Sequence, residues 1–217
     1  MENQVPRIMR LTVAAFALLL FVVGCQSGSP VELSSRSPAA SPSPTTGNAT
    51  VSWSFTQSKD PTLQHPDVKL SDGLKTATTE VDAAIYAINR PEDVTALIEA
   101  QQRCSCVRII SDAVQSKGPT QIPALTQLHQ AGIPIKIDSH TGIMHLKVAE
   151  IDRRVVYEGS FNWTNSASSV NDEILVKVES VQMATSFANL FDNMWNDTRR
   201  FKDWAPSAPA APAPQNF

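Results

Sequence analysis

His145 and Lys147 stand two positions apart in the run His145-Leu-Lys147-Val-Ala-Glu-Ile-Asp152. Alternate side chains of an extended chain share a face, so an imidazole and an ammonium should project together. Such a pair suits a phosphodiester. The imidazole can attack phosphorus, or pass a proton to the leaving oxygen. The ammonium can neutralise a non-bridging oxygen as negative charge develops. On a surface strand the pair alone would mean little. Its weight comes from the residues downstream of it: Asp152, then Gly159-Ser160-Phe161-Asn162-Trp163-Thr164, then Asn171-Asp172-Glu173. His65, His129 and His140 have no comparable company, and a His140/His145 metal pair lacks a third ligand at a telling distance.

These residues need elements to position them. Compact apolar runs predict strands at Val51 to Phe55, Val81 to Ile88, Val107 to Ile110 and Ile133 to Ile137. Met144 to Ile151 and Val155 to Glu158 read as two strands joined by a turn at Asp152-Arg-Arg, and Asp172 to Val178 as another. Helices are expected around Leu70 to Thr78, from Pro91 with acids in its first turn, from Pro119 to Gln130 before Gly132, and from Val181 to Phe201. Ile122, Leu125 and Leu128 should line one face of the third helix. Phe187, Leu190, Phe191, Met194 and Trp195 should form a buried stripe on the last. Alternating strands and helices predict a single α/β domain: a mixed parallel and antiparallel sheet flanked by helices on both faces.

The pattern His-x-Lys-x4-Asp-x6-Gly-Ser-x-Asn followed by Glu resembles the signature of the phospholipase D superfamily. It is similar to the small members that carry one motif, among them bacterial endonucleases and short phospholipase D-like proteins. Ala83-Ala-Ile-Tyr-Ala-Ile, Val107-Arg-Ile-Ile-Ser-Asp112 and Ala131-Gly-Ile-Pro resemble the family's upstream elements in order, so the likeness runs from about residue 65 to about 200. Arg103-Cys-Ser-Cys-Val departs from the family's usual Arg-Gly-Val. The resemblance implies the phospholipase D/nuclease fold and a hydrolase working without metal or cofactor. It gives His145 the part of a nucleophile that forms a phosphohistidine. Lys147 and Asn162 become phosphate-oxygen ligands, with Ser160 supporting them. Glu173 becomes the carboxylate that orients the imidazole. Asp152 completes the catalytic set as the motif acid, a residue usually structural in this family. Because the scheme uses two histidines and the chain has one motif, the resemblance also implies a homodimer sharing one active site.

The ends of the chain differ from its middle. Arg7 and Arg10 precede fourteen uncharged residues, Leu11 to Gly24, and the run ends at Cys25. That length fits a signal-peptide core better than a bilayer span. Phe21-Val-Val-Gly-Cys25 resembles a bacterial lipobox, which makes Cys25 the expected lipidation site and residues 1–24 the signal peptide. Residues 25–49, rich in Ser and Pro, read as a tether, 50–204 as the catalytic domain, and 205–217 as a Pro/Ala tail. The protein is then expected to be exported and membrane-anchored, facing the periplasm or the cell exterior. Gln26 fits lipoproteins sent to an outer membrane.

Losing residues 1–24 removes Arg7, Arg10 and Glu2, leaving 16 basic against 20 acidic residues, which weighs against a dedicated nucleic-acid binder. Phospholipid head groups are therefore the expected substrate. A nuclease using the same site is the alternative, and a silent envelope binding protein the third reading. Cys104 and Cys106 read as two small apolar residues at a helix-to-strand junction, with a disulfide as the alternative.

Overall fold

A computed structural model describes residues 48–206 apart from residue 105. The expected signal peptide, Cys25, nearly all of the tether and most of the tail lie outside the described residues. No described helix is long and apolar enough to cross a membrane.

Fourteen elements succeed one another along the described residues. They are β1 (Thr50–Phe55), α1 (Pro66–Leu74), β2 (Val81–Ile85), α2 (Pro91–Cys104), β3 (Val107–Ser111), a 3₁₀ turn (Gln115–Lys117), α3 (Gln121–Gln130), β4 (Ile135–Asp138), β5 (Lys147–Ile151), β6 (Val155–Gly159), α4 (Asn165–Ser169), β7 (Ile174–Glu179), α5 (Val181–Asn196) and β8 (Phe201–Asp203). The strands form one sheet in the order β1-β7-β6-β5-β2-β3-β4-β8. Its β2-β3-β4 part is parallel, joined by the crossover helices α2 and α3. From β2 outward through β5, β6, β7 and β1 every pairing is antiparallel, as is β4 with β8. This is the mixed α/β sheet expected from the alternation of strands and helices.

The period-two pattern of the central strands builds two cores. Val81, Ala83 and Ile85 of β2 and Val107 and Ile109 of β3 pack with Leu70, Leu74, Leu97 and Leu125 from α1, α2 and α3. Ala84 and Ile110 point the other way, to Phe191 of α5 and Phe201 of β8. Each fully buried leucine or phenylalanine contributes about 1.5–3 kcal/mol. Strands buried on both faces cannot alternate with polar residues, which is why β2 reads as a largely apolar run.

Four expectations change. The last helix stops at Asn196, and a short edge strand, β8, comes after it. Leu190 and Ile122, placed on apolar faces by their spacing, are 47% and 42% exposed. The motif strand begins at Lys147, not Met144. Cys104 and Cys106 are paired as a disulfide. Their Cα atoms lie 5.1 Å apart, within the range a disulfide spans.

Candidate active site

β5 lies at the middle of the sheet between β2 and β6, in the register Ile85↔Lys147 and Val148↔Glu158. Its pairing reaches one step further, where the amide of Tyr86 donates to the carbonyl of Leu146 at 2.8 Å. His145 lies beyond the strand, yet it keeps the side its spacing gave it. Its imidazole meets the Tyr86 ring edge-on, with centroids 4.8 Å apart. The Lys147 ammonium sits over the same ring, 4.8 Å from its centroid, and donates to the His145 carbonyl at 2.8 Å. Lys147 is buried, whereas His145 is exposed. Burial pulls the Lys147 pKa below its ordinary value, and the Glu173 carboxylate pushes it back. Among the described residues, no hydrogen bond engages the imidazole of His145.

A second group faces this one. Gly159 ends β6 with φ 150°, and a Cβ there would fall 2.2 Å from the Ile174 carbonyl oxygen. Only glycine permits that approach, and it brings Ser160 against the start of β7. The Ser160 hydroxyl donates to Glu173 Oε2 at 2.5 Å and accepts from the Ile174 amide. Asn171 Nδ2 donates to Glu173 Oε1 at 3.1 Å. Thr56, just past β1, anchors the backbone: its hydroxyl donates to the Asn171 carbonyl and accepts from the Glu173 amide. Asn162 sits in a loop that Trp163 ties to the segment after β2 through its amide on the Ala87 carbonyl. The Asn162 Oδ1 is buried with no hydrogen-bond partner among the described residues. An open cavity of about 460 Å³, lined by Phe55, Thr56, Ser160, Asp172, Glu173 and Ile174 among others, lies beside this group.

The structure thus gathers His145 and Lys147 on one ring, and Ser160 and Glu173 in one hydrogen-bonded cluster. Among the described residues no hydrogen bond joins Glu173 to His145; the Glu173 oxygens accept from Ser160 and Asn171, and its charge reaches Lys147. Asp152 stands elsewhere. It lies past the far end of β5, about 16 Å of strand from the His145 end. Its carboxylate accepts from five donors, the amides and hydroxyls of Thr78 and Thr79 and the amide of Glu80. Burial works to raise its pKa, but these donors outweigh it and bring it to about 2. Asp152 and Arg153 both have positive φ, 55° and 52°, and the Arg154 amide returns to the Ile151 carbonyl. That is the primed two-residue turn a right-handed hairpin favours. The Asp152 carboxylate is thus engaged in tying this hairpin to residues 78–80, at the end of β5 away from His145.

Four supporting residues are given no role by the sequence, although Tyr86 and Asp112 fall within segments that resemble the family: Tyr86, Asp112, Gln115 and Gln121. Asp112 accepts from the amides of Val114 and Gln115 and from Met144, one residue before His145. Gln115 and Gln121 hold Tyr86. A tyrosine inside an apolar run and glutamines near helix starts are unremarked by pattern; the pairing β2–β5 is what gives them meaning.

Glu80, Asp82 and Glu150 offer carboxylate oxygens within 4.8 Å of one another. Arg108 pairs with Asp82 and Asp192, and Arg153 with Glu80 and Asp192. Guanidinium groups thus compensate Asp82 and Glu80, while Glu150 pairs with none among the described residues.

The family described as "Cardiolipin synthase, PLD-like domain" matches residues 70–195. A "Mitochondrial cardiolipin hydrolase" of Chlamydomonas reinhardtii is 34% identical over 125 residues, which are 58% of this chain and 55% of that protein. A "Phospholipase D" of Rickettsia typhi is 36% identical over 114 residues, 52% of this chain and 55% of that protein. The chain thus spans little more than half the length of these curated relatives. Among solved structures, the phospholipase D family member Nuc from Salmonella typhimurium superposes with a TM-score of 0.64 at 27% identity, covering 72% of this chain and 98% of that one. NucT from Helicobacter pylori shares the fold, with a TM-score of 0.56 at 22% identity.

Proposed function

The chain belongs to the phospholipase D superfamily, and on that premise we propose that it hydrolyses phosphodiester bonds through a phosphohistidine, with phospholipid head groups as its substrates. The observation that carries this reading is the Tyr86 ring, which holds an exposed imidazole and a buried ammonium side by side at one end of β5. An imidazole nitrogen of His145 forms a bond to phosphorus, and the bond to the leaving oxygen breaks. Lys147 and the amide of Asn162 bind the non-bridging oxygens as charge builds on them. Ser160 supports that site. Water then attacks the phosphohistidine and restores the imidazole.

The departing oxygen needs a proton, and each chain carries one motif histidine. The second copy of His145 supplies it in a two-fold homodimer. One feature supports this assembly. β1, an edge strand, turns Val51, Trp53 and Phe55 to solvent at 49%, 49% and 42% exposure, an apolar row of the kind a second copy covers. The reading of Cys25 as a lipid anchor, exported and membrane-bound, agrees with a lipid substrate. The relatives named as cardiolipin hydrolase and phospholipase D support the same choice.

The test is hydrolysis of phosphatidylcholine vesicles and of plasmid DNA by purified protein in EDTA, beside His145→Ala. Lipid hydrolysis that persists in EDTA and vanishes in the variant is expected. Cleavage of DNA alone would overturn the substrate, and undiminished turnover in the variant would overturn the nucleophile.

A further inference from the structure

Tyr86 is fixed at three points. Its amide donates to the Leu146 carbonyl at 2.8 Å, and Leu146 is the residue between His145 and Lys147. Its carbonyl accepts from Gln121 Nε2, and that glutamine is buried, with its Oε1 taking the Ile88 amide at 2.6 Å. Its hydroxyl accepts from Gln115 Nε2 at 2.9 Å. A ring held at both ends cannot follow the groups that rest on it, so those groups take their positions from the ring. The ammonium over an aromatic face is held by the negative quadrupole, and an edge-on imidazole packs against it without a hydrogen bond that would consume a ring nitrogen. That leaves both nitrogens of His145 open to chemistry.

We infer that Tyr86 is a positioning residue for the reaction: its ring sets the separation and direction of His145 and Lys147, and so aims both at one phosphate. This rests on the proposed phosphohistidine reading and deepens it. The ring does the positioning, and the hydroxyl is one of its three anchors, through Gln115, so a phenylalanine keeps the contact surface and loses a single anchor. Positioning acts on the bond-making step, where misplacement by about 1 Å costs up to about a hundredfold, and affects ground-state binding far less.

The experiment compares Tyr86→Leu, Tyr86→Phe and His145→Ala in the full-length protein, with phosphatidylcholine vesicles as substrate. Thermal unfolding of each variant is recorded. In Tyr86→Leu, kcat should fall at least about tenfold while KM stays within about twofold. Trapped phosphohistidine should form more slowly by the same factor. Tyr86→Phe, which keeps the ring, should recover most of the loss. Should the leucine variant not fold, Tyr86→Met carries the same expectation. Wild-type kcat in Tyr86→Leu, equal losses in Leu and Phe, or a change confined to KM would each overturn the inference. If His145→Ala itself turns over normally, the phosphohistidine reading falls. If His145→Ala is dead while Tyr86→Leu is unimpaired, only the role of Tyr86 falls.

Discussion

The two ends of β5 carry the same motif and are built in opposite ways. At one end Asp152 is saturated, with five donors on one carboxylate and a pKa near 2. At the other, Lys147 is buried on a tyrosine face and His145 is exposed. There, among the described residues, the His145 ring makes no hydrogen bond and the Asn162 oxygen has no partner. Saturated polar groups hold a fold and have nothing left to offer a ligand. Unsaturated ones cost stability and are retained where a ligand completes them. One short string of letters therefore divides into a saturated half and an open half.

The largest effect that would break this division is expected at His145. His145→Ala should lower turnover about 1000-fold or more while moving the melting temperature by less than about 2 °C, read by vesicle hydrolysis and thermal unfolding. Asp152→Ala should do the reverse. It strands amide and hydroxyl donors of Thr78 and Thr79, so chemical denaturation should show a loss of about 2–3 kcal/mol, with turnover per folded molecule within about twofold. Equal catalytic losses in the two variants would erase the distinction.

Acid sharpens it further. The folded pKa of Asp152 is lowered from 3.8 to about 2, so its stabilisation is fully present above the unfolded value and drains away as pH falls from about 4 to about 2. Asp152→Asn should flatten the unfolding curve in that window, which an acid titration of stability measures.

The smallest effect concerns a group that is unsatisfied yet lies away from the site. Glu150 is fully buried, and neither carboxylate oxygen accepts a hydrogen bond from the described residues. Burial, and then neighbouring Glu80, hold its pKa well above the ordinary carboxylate range. A raised carboxyl pKa favours the fold at acid pH and opposes it as pH climbs past the unfolded value. Glu150→Gln should gain about 1 kcal/mol at neutral pH in denaturant titration, with unchanged turnover. A catalytic loss there would mean that Glu150 serves the site after all.

Much of the fold and the site is legible in the sequence because its signals are local. The central strands are visible as apolar runs, α2 by Pro91 and its acids, and the reactive letters by their spacing. The features that escape depend on partners distant in sequence. Three residues of β8 gain their strand only by pairing with β4. Met144 and His145 lose theirs because the pairing with the β2 segment goes no further than Tyr86 on Leu146. Leu190 fits the helical stripe, but α5 meets the sheet along a narrower line of Ala184, Ala188 and Phe191. Tyr86 falls within an apolar run, and no local pattern reveals that two reactive groups rest on its ring. Cys104 and Cys106 are legible as a pair, but their spacing alone does not show that they are bonded.

The pairing of β1 with β7, Thr50 with Glu179 and Phe55 with Ile174, joins the first described element to nearly the last strand. Such contacts close a loop of more than a hundred residues, and the entropy of that closure must be met before they return anything. Thr56, which fastens Glu173, belongs to the same late closure. The parallel centre of the sheet joins strands closer in sequence, whereas the carboxylate side of the site depends on β7 finding β1 across that long loop. A chain cut short before Ile174 would keep its histidine and lose the strand that holds Ser160 and Glu173 together.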